Sequence, residues 1–335
     1  MLTQQVATSH TRIDGHSRPE WVAAAVDIGG TKIAAGLVDA SGRVLHRVQV
    51  ATPATGSATD MTEAVFAVLD MLQPHLAWNS ARWIGIGSAG PVDLESGTVS
   101  PVNIPAWRNF PLLQCVRAHP AVEDRTVTLS GDAVAMAAAE HWIGAARGYR
   151  NALCLVVSTG VGAGLVLDGA VRHGPSGNAG HLGHISVQFD GEDCPCGSRG
   201  CLEGLSSGPA IIRHALRAGW SSGCEPATTA AVAASARAGS AAAIAAFDRA
   251  GRALAAGIAA TAALIDLEIA VIGGGVAEAG HLLFGPVCRH LRSYASLSFT
   301  AQVQVERATL RTDAGIVGAA AIAAAAHGGD LTRPR

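Results

Sequence analysis

The hydrophobic pattern divides the chain into short β-rich runs, glycine turns and a smaller number of helical stretches. Residues 22–50, "VAAAVDIGGTKIAAGLVDASGRVLHRVQV", read as three successive antiparallel strands with turns at Gly29-Gly30 and Ser41-Gly42. A helical stretch follows at about 60–78, then a strand in "RWIGIGSAG", then an irregular region carrying Pro101, Pro105 and Pro111. The strand "RTVTLS" runs straight into a helix, "DAVAMAAAEHWIGAA". After Gly148 the pattern restarts, and "NALCLVVSTGVGAGLVLDGAVRHG" again gives strand, glycine-rich turn, strand. An Ala-rich helical region at about 228–265, the strand "LEIAVIGGG", a helix from about 276, the strand "QVQVER" and a helix from about Gly315 complete the chain. The restart implies two related halves, although no close residue-level repeat is visible. Alternation of strands and helices in this order predicts an α/β protein.

Composition narrows the choice. At 335 residues the chain has room for two domains, each with its own core. Hydrophobic residues make up 49% but aromatics only 4%, and there are 40 glycines, so small aliphatic side chains and tight turns must build the interior. A net charge of -2 gives no general field for nucleic acid or an acidic membrane surface, and a small neutral partner fits better. The Ala-rich stretches are interrupted by Arg237, Asp248 and Arg249, so no segment reads as a membrane span. Residues 1–20 are polar and read as a loose extension, not a signal peptide. Seven cysteines without an export signal point to reduced thiols and a cytoplasmic location. Cys115, Cys154, Cys224 and Cys288 stand alone and read as small core residues.

The other three cysteines cluster. In "GHLGHISVQFDGEDCPCGSRGCLE", starting at Gly180, His184, Cys194, Cys196 and Cys201 supply one imidazole and three thiolates, a closed tetrahedral set for a structural zinc. The competing reading is incidental or reactive thiols on a loop. Such a staple would fix its neighbours, His181 and Glu203, and stiffen a binding wall.

Two glycine turns between strands carry the second chemical signal. In "DIGGTK", Gly29 and Gly30 let backbone N–H groups approach anionic oxygens, while Thr31 and Lys32 add donors and Asp27 is placed to hold magnesium through water. "STGVGAG", with Ser158, Thr159, Gly160 and Gly162, can grip the same phosphates from the opposite side. Either turn alone reads as an ordinary hairpin. Together with Gly273, Gly274 and Gly275 after a strand, they form a nucleotide-binding pattern that is not a Walker loop.

With "GIGSAGPVD", "GDA", "GHLGH", "CPCGSRGCLE" and "VIGGG" added, roughly residues 22–325 resemble the ROK sugar kinases. The resemblance implies a two-lobed actin/hexokinase-like (ribonuclease H-like) α/β fold with a structural zinc loop. It implies a small N-terminal lobe over 21–131, onto which a C-terminal helix at about 315–330 packs back, and a large lobe over 132–314 carrying the zinc loop 184–201. The implied activity is transfer of the ATP γ-phosphoryl group, with magnesium, to the 6-hydroxyl of a hexose or amino sugar. Asp132 matches the catalytic base, and by position it also reads as the cap of the helix that follows. His184 corresponds to a residue that both ligates zinc and contacts sugar, Glu203 to a sugar-binding carboxylate, and Asn103 to a further sugar contact.

Two positions depart from the family. Gly131 stands where an Asn usually precedes the catalytic Asp, and His181 stands where glucose-directed members usually have Glu. Histidine there is similar to bacterial N-acetylmannosamine kinases, so glucose, N-acetylmannosamine and 3-amino-3-deoxyglucose (kanosamine) are all expected candidates. The remaining alternatives are a non-catalytic sugar sensor of the same family, a repressor, and another ATPase on the same superfold. The repressor is disfavoured because only about 20 polar residues precede the core. The other ATPases have no need of a zinc loop. A homodimer is expected by analogy with relatives.

Overall fold

A computed structural model describes residues 20–53, 55–102, 104–223 and 226–331. The N-terminal extension up to residue 19, Asn103 and Cys224 therefore lie outside the described residues.

The first half opens with strands β1 (Val22–Ile28), β2 (Lys32–Asp39) and β3 (Val44–Ala51), followed by helix α1 (Ala58–Leu72). It continues through β4 (Ala81–Ser88), the short ribbon β5 (Val92–Asp93) and β6 (Thr98–Val99), helix α2 (Leu112–Arg117), and β7 (Thr126–Gly131). Helix α3 (Asp132–Ile143) then leads into β8 (Ala152–Val157), β9 (Val161–Leu167) and β10 (Ala170–Arg172). Helices α4 (Leu202–Ser206), α5 (Gly208–Arg217), α6 (Thr229–Arg237) and α7 (Ala241–Ile265) follow. Last come β11 (Ile269–Gly273), α8 (His281–Tyr294), β12 (Gln304–Arg307) and α9 (Ala314–Ala326).

The restart seen in the hydrophobic pattern is a repeat of topology. One sheet runs β3-β2-β1-β4-β7 and the other β10-β9-β8-β11-β12. In each, the first three strands form an antiparallel meander and the last two add in parallel on its first strand. Sequence similarity is absent because the two sheets need only the same alternation, not the same side chains.

Between the sheets lie α3 and α9, packed on each other, with α3 against β8 and β9 and α9 against β4 and β1. Both helices are apolar on nearly every face because both are buried on nearly every face. Their alanines and glycines follow from the close approach. A methyl at Gly318 would overlap the backbone of Ala135, and one at Gly85 would overlap that of Ala319. The alanine-rich, aromatic-poor composition is thus the signature of two sheets sharing a thin helical layer.

A buried carboxylate ties that layer together. Glu140 of α3 is fully buried and accepts from Ala145 N (2.8 Å), Thr309 N (3.2 Å), Thr309 Oγ1 (3.1 Å) and Leu310 N (2.9 Å). It therefore joins the end of α3 to the turn before α9, and its charge is met by donors on both sides.

Some elements differ from expectation. The Ala-rich region at 228–265 is two helices, α6 and α7, bent by 116° at Gly239, whose φ of +91° no helix can continue through. The helix expected from about 276 starts later, because Gly275–Ala279 form a 3-10 turn before α8. Cys154 is buried as expected, but Cys288 is exposed on α8. No single described helix is long and apolar enough to cross a membrane.

Candidate active site

A cleft of about 800 Å³ lies between the two sheets, and the turns that end the parallel strands open into it. Its walls bring together Asp27, Gly29, Gly30, Thr31 and Lys32 from the β1–β2 turn, and Ser158, Thr159, Gly160 and Gly162 from the β8–β9 turn. Gly273, Gly274 and Gly275 after β11, with Asp132, His181, His184 and Glu203, complete the set named from sequence. The neighbour of Asn103, Val102, also lines the cleft.

The two glycine turns face each other and each is pinned from behind. Gly29 N donates to Lys32 O (3.1 Å), while Thr52 of the β3 end donates through Oγ1 to Gly29 O (2.7 Å) and through N to Thr31 O (3.0 Å). In the second turn Ser158 N donates to Gly160 O and Gly208 N to Ser158 O, both at 2.8 Å. Gly274, at φ +86°, lies against the backbone of Val157, where any side chain would overlap it. These constraints leave preformed backbone surfaces of the kind that cradles phosphates.

Two carboxylates occupy the centre. Asp27 lies at the next-to-last position of β1 and is backed by α9, where a methyl at Gly315 would overlap its carboxylate. Burial lifts its pKa to about 6, against the opposing pull of Lys32 and Arg47. Asp132 is the first residue of α3, with Gly131 at the cap position, and Ala133 N donates to its Oδ1 (2.7 Å). The expected capping role is therefore shifted by one residue: the side chain meets the adjacent amide, inside the first turn. Burial first, and the charge of Asp27 second, raise Asp132 to about 7. A carboxylate poised there can accept a proton near neutrality.

At the other end stand the histidines. His181 and His184 stack at 5.9 Å between ring centroids, and burial lowers the pKa of His181, which favours its neutral form. Glu203, in the first turn of α4, accepts from Val161 N through Oε2 (2.8 Å). One of its oxygens is thus spent on holding the second glycine turn.

His184 faces two ways. It lines the cleft, and its Nδ1 lies 3.8 Å from Cys194 Sγ, while Cys196 and Cys201 sulfurs are also 3.8 Å apart. The four ligand atoms all fall within 4.8 Å of one another. Ligands about 2.3 Å from a common tetrahedral centre sit about 3.8 Å apart, so the set fits zinc. The hairpin that presents them is closed by Cys194 N to Ser198 O (2.8 Å) and Val187 N to Gly200 O (2.9 Å).

The family comparison decides the identity: residues 23–326 match the ROK family. The chain belongs to the ROK family. Its relatives include a glucokinase of Thermotoga maritima, 35% identical over 89% of this chain and 95% of that protein. An N-acetylmannosamine kinase of Yersinia pseudotuberculosis is 34% identical over 88% of this chain and 96% of that one. Among solved structures, a ROK glucokinase from Streptomyces griseus in complex with glucose and AMPPNP superposes with a TM-score of 0.79 at 34% identity, covering 90% and 99% of the two chains. A ROK transcriptional regulator, a homologue of the E. coli MLC protein, reaches the same TM-score at 26% identity, over 93% of this chain and 80% of the regulator. This ROK chain therefore has the two-lobed actin/hexokinase-like architecture, with a Cys3His cluster able to bind zinc.

Sequence reasoning missed the far end of the cleft. Glu278, Arg307, Arg311 and Thr312 line it there, with Arg307 paired to Glu278. No motif marks them, since they meet only because the β12–α9 connection returns beside β11. Asn178 and Gly90 also line the cleft, from opposite halves, and carry no sequence signal of their own.

Proposed function

We propose that this ROK protein is an ATP-dependent sugar kinase that phosphorylates the 6-hydroxyl of a hexose or amino sugar. The observation that carries the reading is a buried carboxylate, Asp132, raised to about 7 and set between two facing phosphate-type turns and a polar sugar-sized end. The curated relatives named glucokinase and N-acetylmannosamine kinase, and the glucose and AMPPNP complex of a structural neighbour, support it.

In this reading the glycine turns at 29–32 and 158–162, with Gly273–Gly275, hold the ATP phosphates, and Glu278, Arg307 and Arg311 flank the nucleoside. Asp27 would hold, through water, the magnesium bound with ATP, and that charge would neutralise the phosphoryl oxygens. Asp132 takes the proton of the sugar 6-hydroxyl as that oxygen bonds to the γ-phosphorus and the bond to ADP breaks. Alignment of the attacking oxygen, and exclusion of water from the cleft, supply most of the rate. His181, His184, Glu203 and Asn103 hold the secondary hydroxyls. His184, Cys194, Cys196 and Cys201 would hold zinc, which when bound would stiffen the wall that carries His184 and Glu203. The protein acts in the cytoplasm as a small-molecule enzyme, with a homodimer as the expected assembly, a small lobe over 21–131 completed by α9, and a large lobe over 132–314.

The sugar follows from two positions. A neutral imidazole at His181 offers one acceptor where a carboxylate would offer two, and Gly131 leaves open space, since a methyl placed there would find Val134 Cγ2 as its nearest neighbour, at 3.7 Å. Both favour a substrate with a bulkier or differently bonded substituent than glucose, and N-acetylmannosamine or kanosamine fits this. Incubation with ATP, magnesium and each sugar, followed by phosphorus NMR of the product, tests the reading. A 6-phosphate is the expected product, whereas sugar binding without any phosphorylated product would favour the sensor.

A further inference from the structure

The segment between β10 and the one-turn helix Leu182–His184 lines the cleft and meets the opposite half at Asn178. Val92 N donates to Asn178 Oδ1 (2.9 Å), and Asn178 Nδ2 donates back to Val92 O (2.6 Å), between residues 86 apart in sequence. Val92 belongs to β5, whose partner strand is β6, so the side-chain amide adds to the ribbon as the backbone of a further strand would. Asn178 Nδ2 also reaches Ser176 O and Ser176 Oγ, both at 3.2 Å, which orients the amide.

The backbone around Asn178 is shaped for this contact. Gly177, at φ +90°, lies flush on the ribbon, where a methyl would come 2.5 Å from Leu94 Cγ and 2.9 Å from Val92 Cγ2. A methyl at Gly90 would sit 3.3 Å from His181 Cε1 and 3.7 Å from Asn178 Oδ1. Asn178 and the His181 ring thus border the same glycine of the opposite half. One residue grips the opposite half with its side chain, and the imidazole three positions on packs beside it.

We propose that Asn178 is a positioning residue: a latch across the cleft that holds the sugar-side segment on β5 and thereby sets the place of His181. Opening the cleft must break both bonds to Val92, and closing must restore them. The imidazole, three residues on, is thereby held at the cleft wall where a substrate O–H or N–H would meet it. The role assigned to His181 rests on the sugar-kinase reading, whereas the latch itself does not.

The test uses the full-length, zinc-loaded protein with Asn178→Ala and Asn178→Asp. Hydrogen exchange without any sugar reads the latch, through the Val92 amide. Exchange there is expected to rise about tenfold or more in Asn178→Ala and to be partly restored in Asn178→Asp, which keeps the acceptor. With glucose or N-acetylmannosamine, whichever the wild type phosphorylates, the sugar KM is expected to rise about fivefold or more while the ATP KM stays within about twofold. Zinc content and Tm near wild type show that the fold is intact. Unchanged Val92 exchange in Asn178→Ala, or an equal rise in both KM values, overturns the latch. A wild type that phosphorylates neither sugar overturns the kinase reading, and the exchange result still decides the latch.

Discussion

Asp27 and Asp132 share one buried centre, so their protons are linked to pH in a defined direction. Each has a folded pKa above the ordinary carboxylate value, about 6 and about 7, which means the folded state holds protons that the unfolded state has released. Stability of the ligand-free protein is therefore greatest below about pH 4 in this contribution and is lost as pH rises through about 6 to 7. A Tm series from about pH 5 to 8 is expected to fall more steeply in the wild type than in Asp132→Asn. Activity runs the other way, because the base must be ionised: kcat/KM is expected to rise with pH through about 7. Gly131→Asn is expected to fold normally, since its Cβ meets nothing closer than 3.7 Å, and to move the ratio of kcat/KM values toward glucose. A variant with unchanged sugar preference would remove Gly131 from the specificity argument.

At the scale of elements, stability rests on joints more than on any one helix. Glu140 gathers four donors from the turn after α3 and the turn before α9, and Glu140→Ala would leave these partly buried groups without their acceptor and a cavity in the fully buried place of the side chain. A loss of about 2–4 kcal/mol is expected, read as a lowered denaturation midpoint. The Cys3His hairpin is the second joint. Cys196→Ala, or chelation of the metal, is expected to lower zinc content and Tm together, and a metal-free wild type of undiminished Tm would contradict a structural zinc. The sequence announced these elements unevenly. The strand meanders, the glycine turns and the Cys3His set were legible because each follows from a local rule of alternation, turn chemistry or ligand spacing. Glu140 was not, since nothing local distinguishes it from a solvated helix carboxylate. The break between α6 and α7 was hidden for a related reason: alanine runs carry helix propensity through Gly239 and give no periodic signal to end it.

For the whole molecule, the repeated topology explains where the site lies. Two sheets of the same design face each other, so the turns that end their equivalent strands converge on one cleft. That convergence made the glycine turns and Asp132 readable as a site, by way of the family resemblance. The far wall at Glu278, Arg307 and Arg311, and the Asn178 contact with Val92, depend on which segments return to the cleft and carry no motif. Whether the molecule is a kinase comes down to whether a sugar draws phosphoryl groups from ATP through Asp132. A coupled ADP-release assay with magnesium and ATP, over glucose, mannose, N-acetylglucosamine, N-acetylmannosamine, allose and kanosamine, measures this for wild type and Asp132→Asn. Sugar-dependent ADP formation by the wild type, reduced about 100-fold or more in Asp132→Asn with sugar binding retained, is the predicted result. Silence of the wild type across the panel, or near-normal turnover by Asp132→Asn, would contradict it.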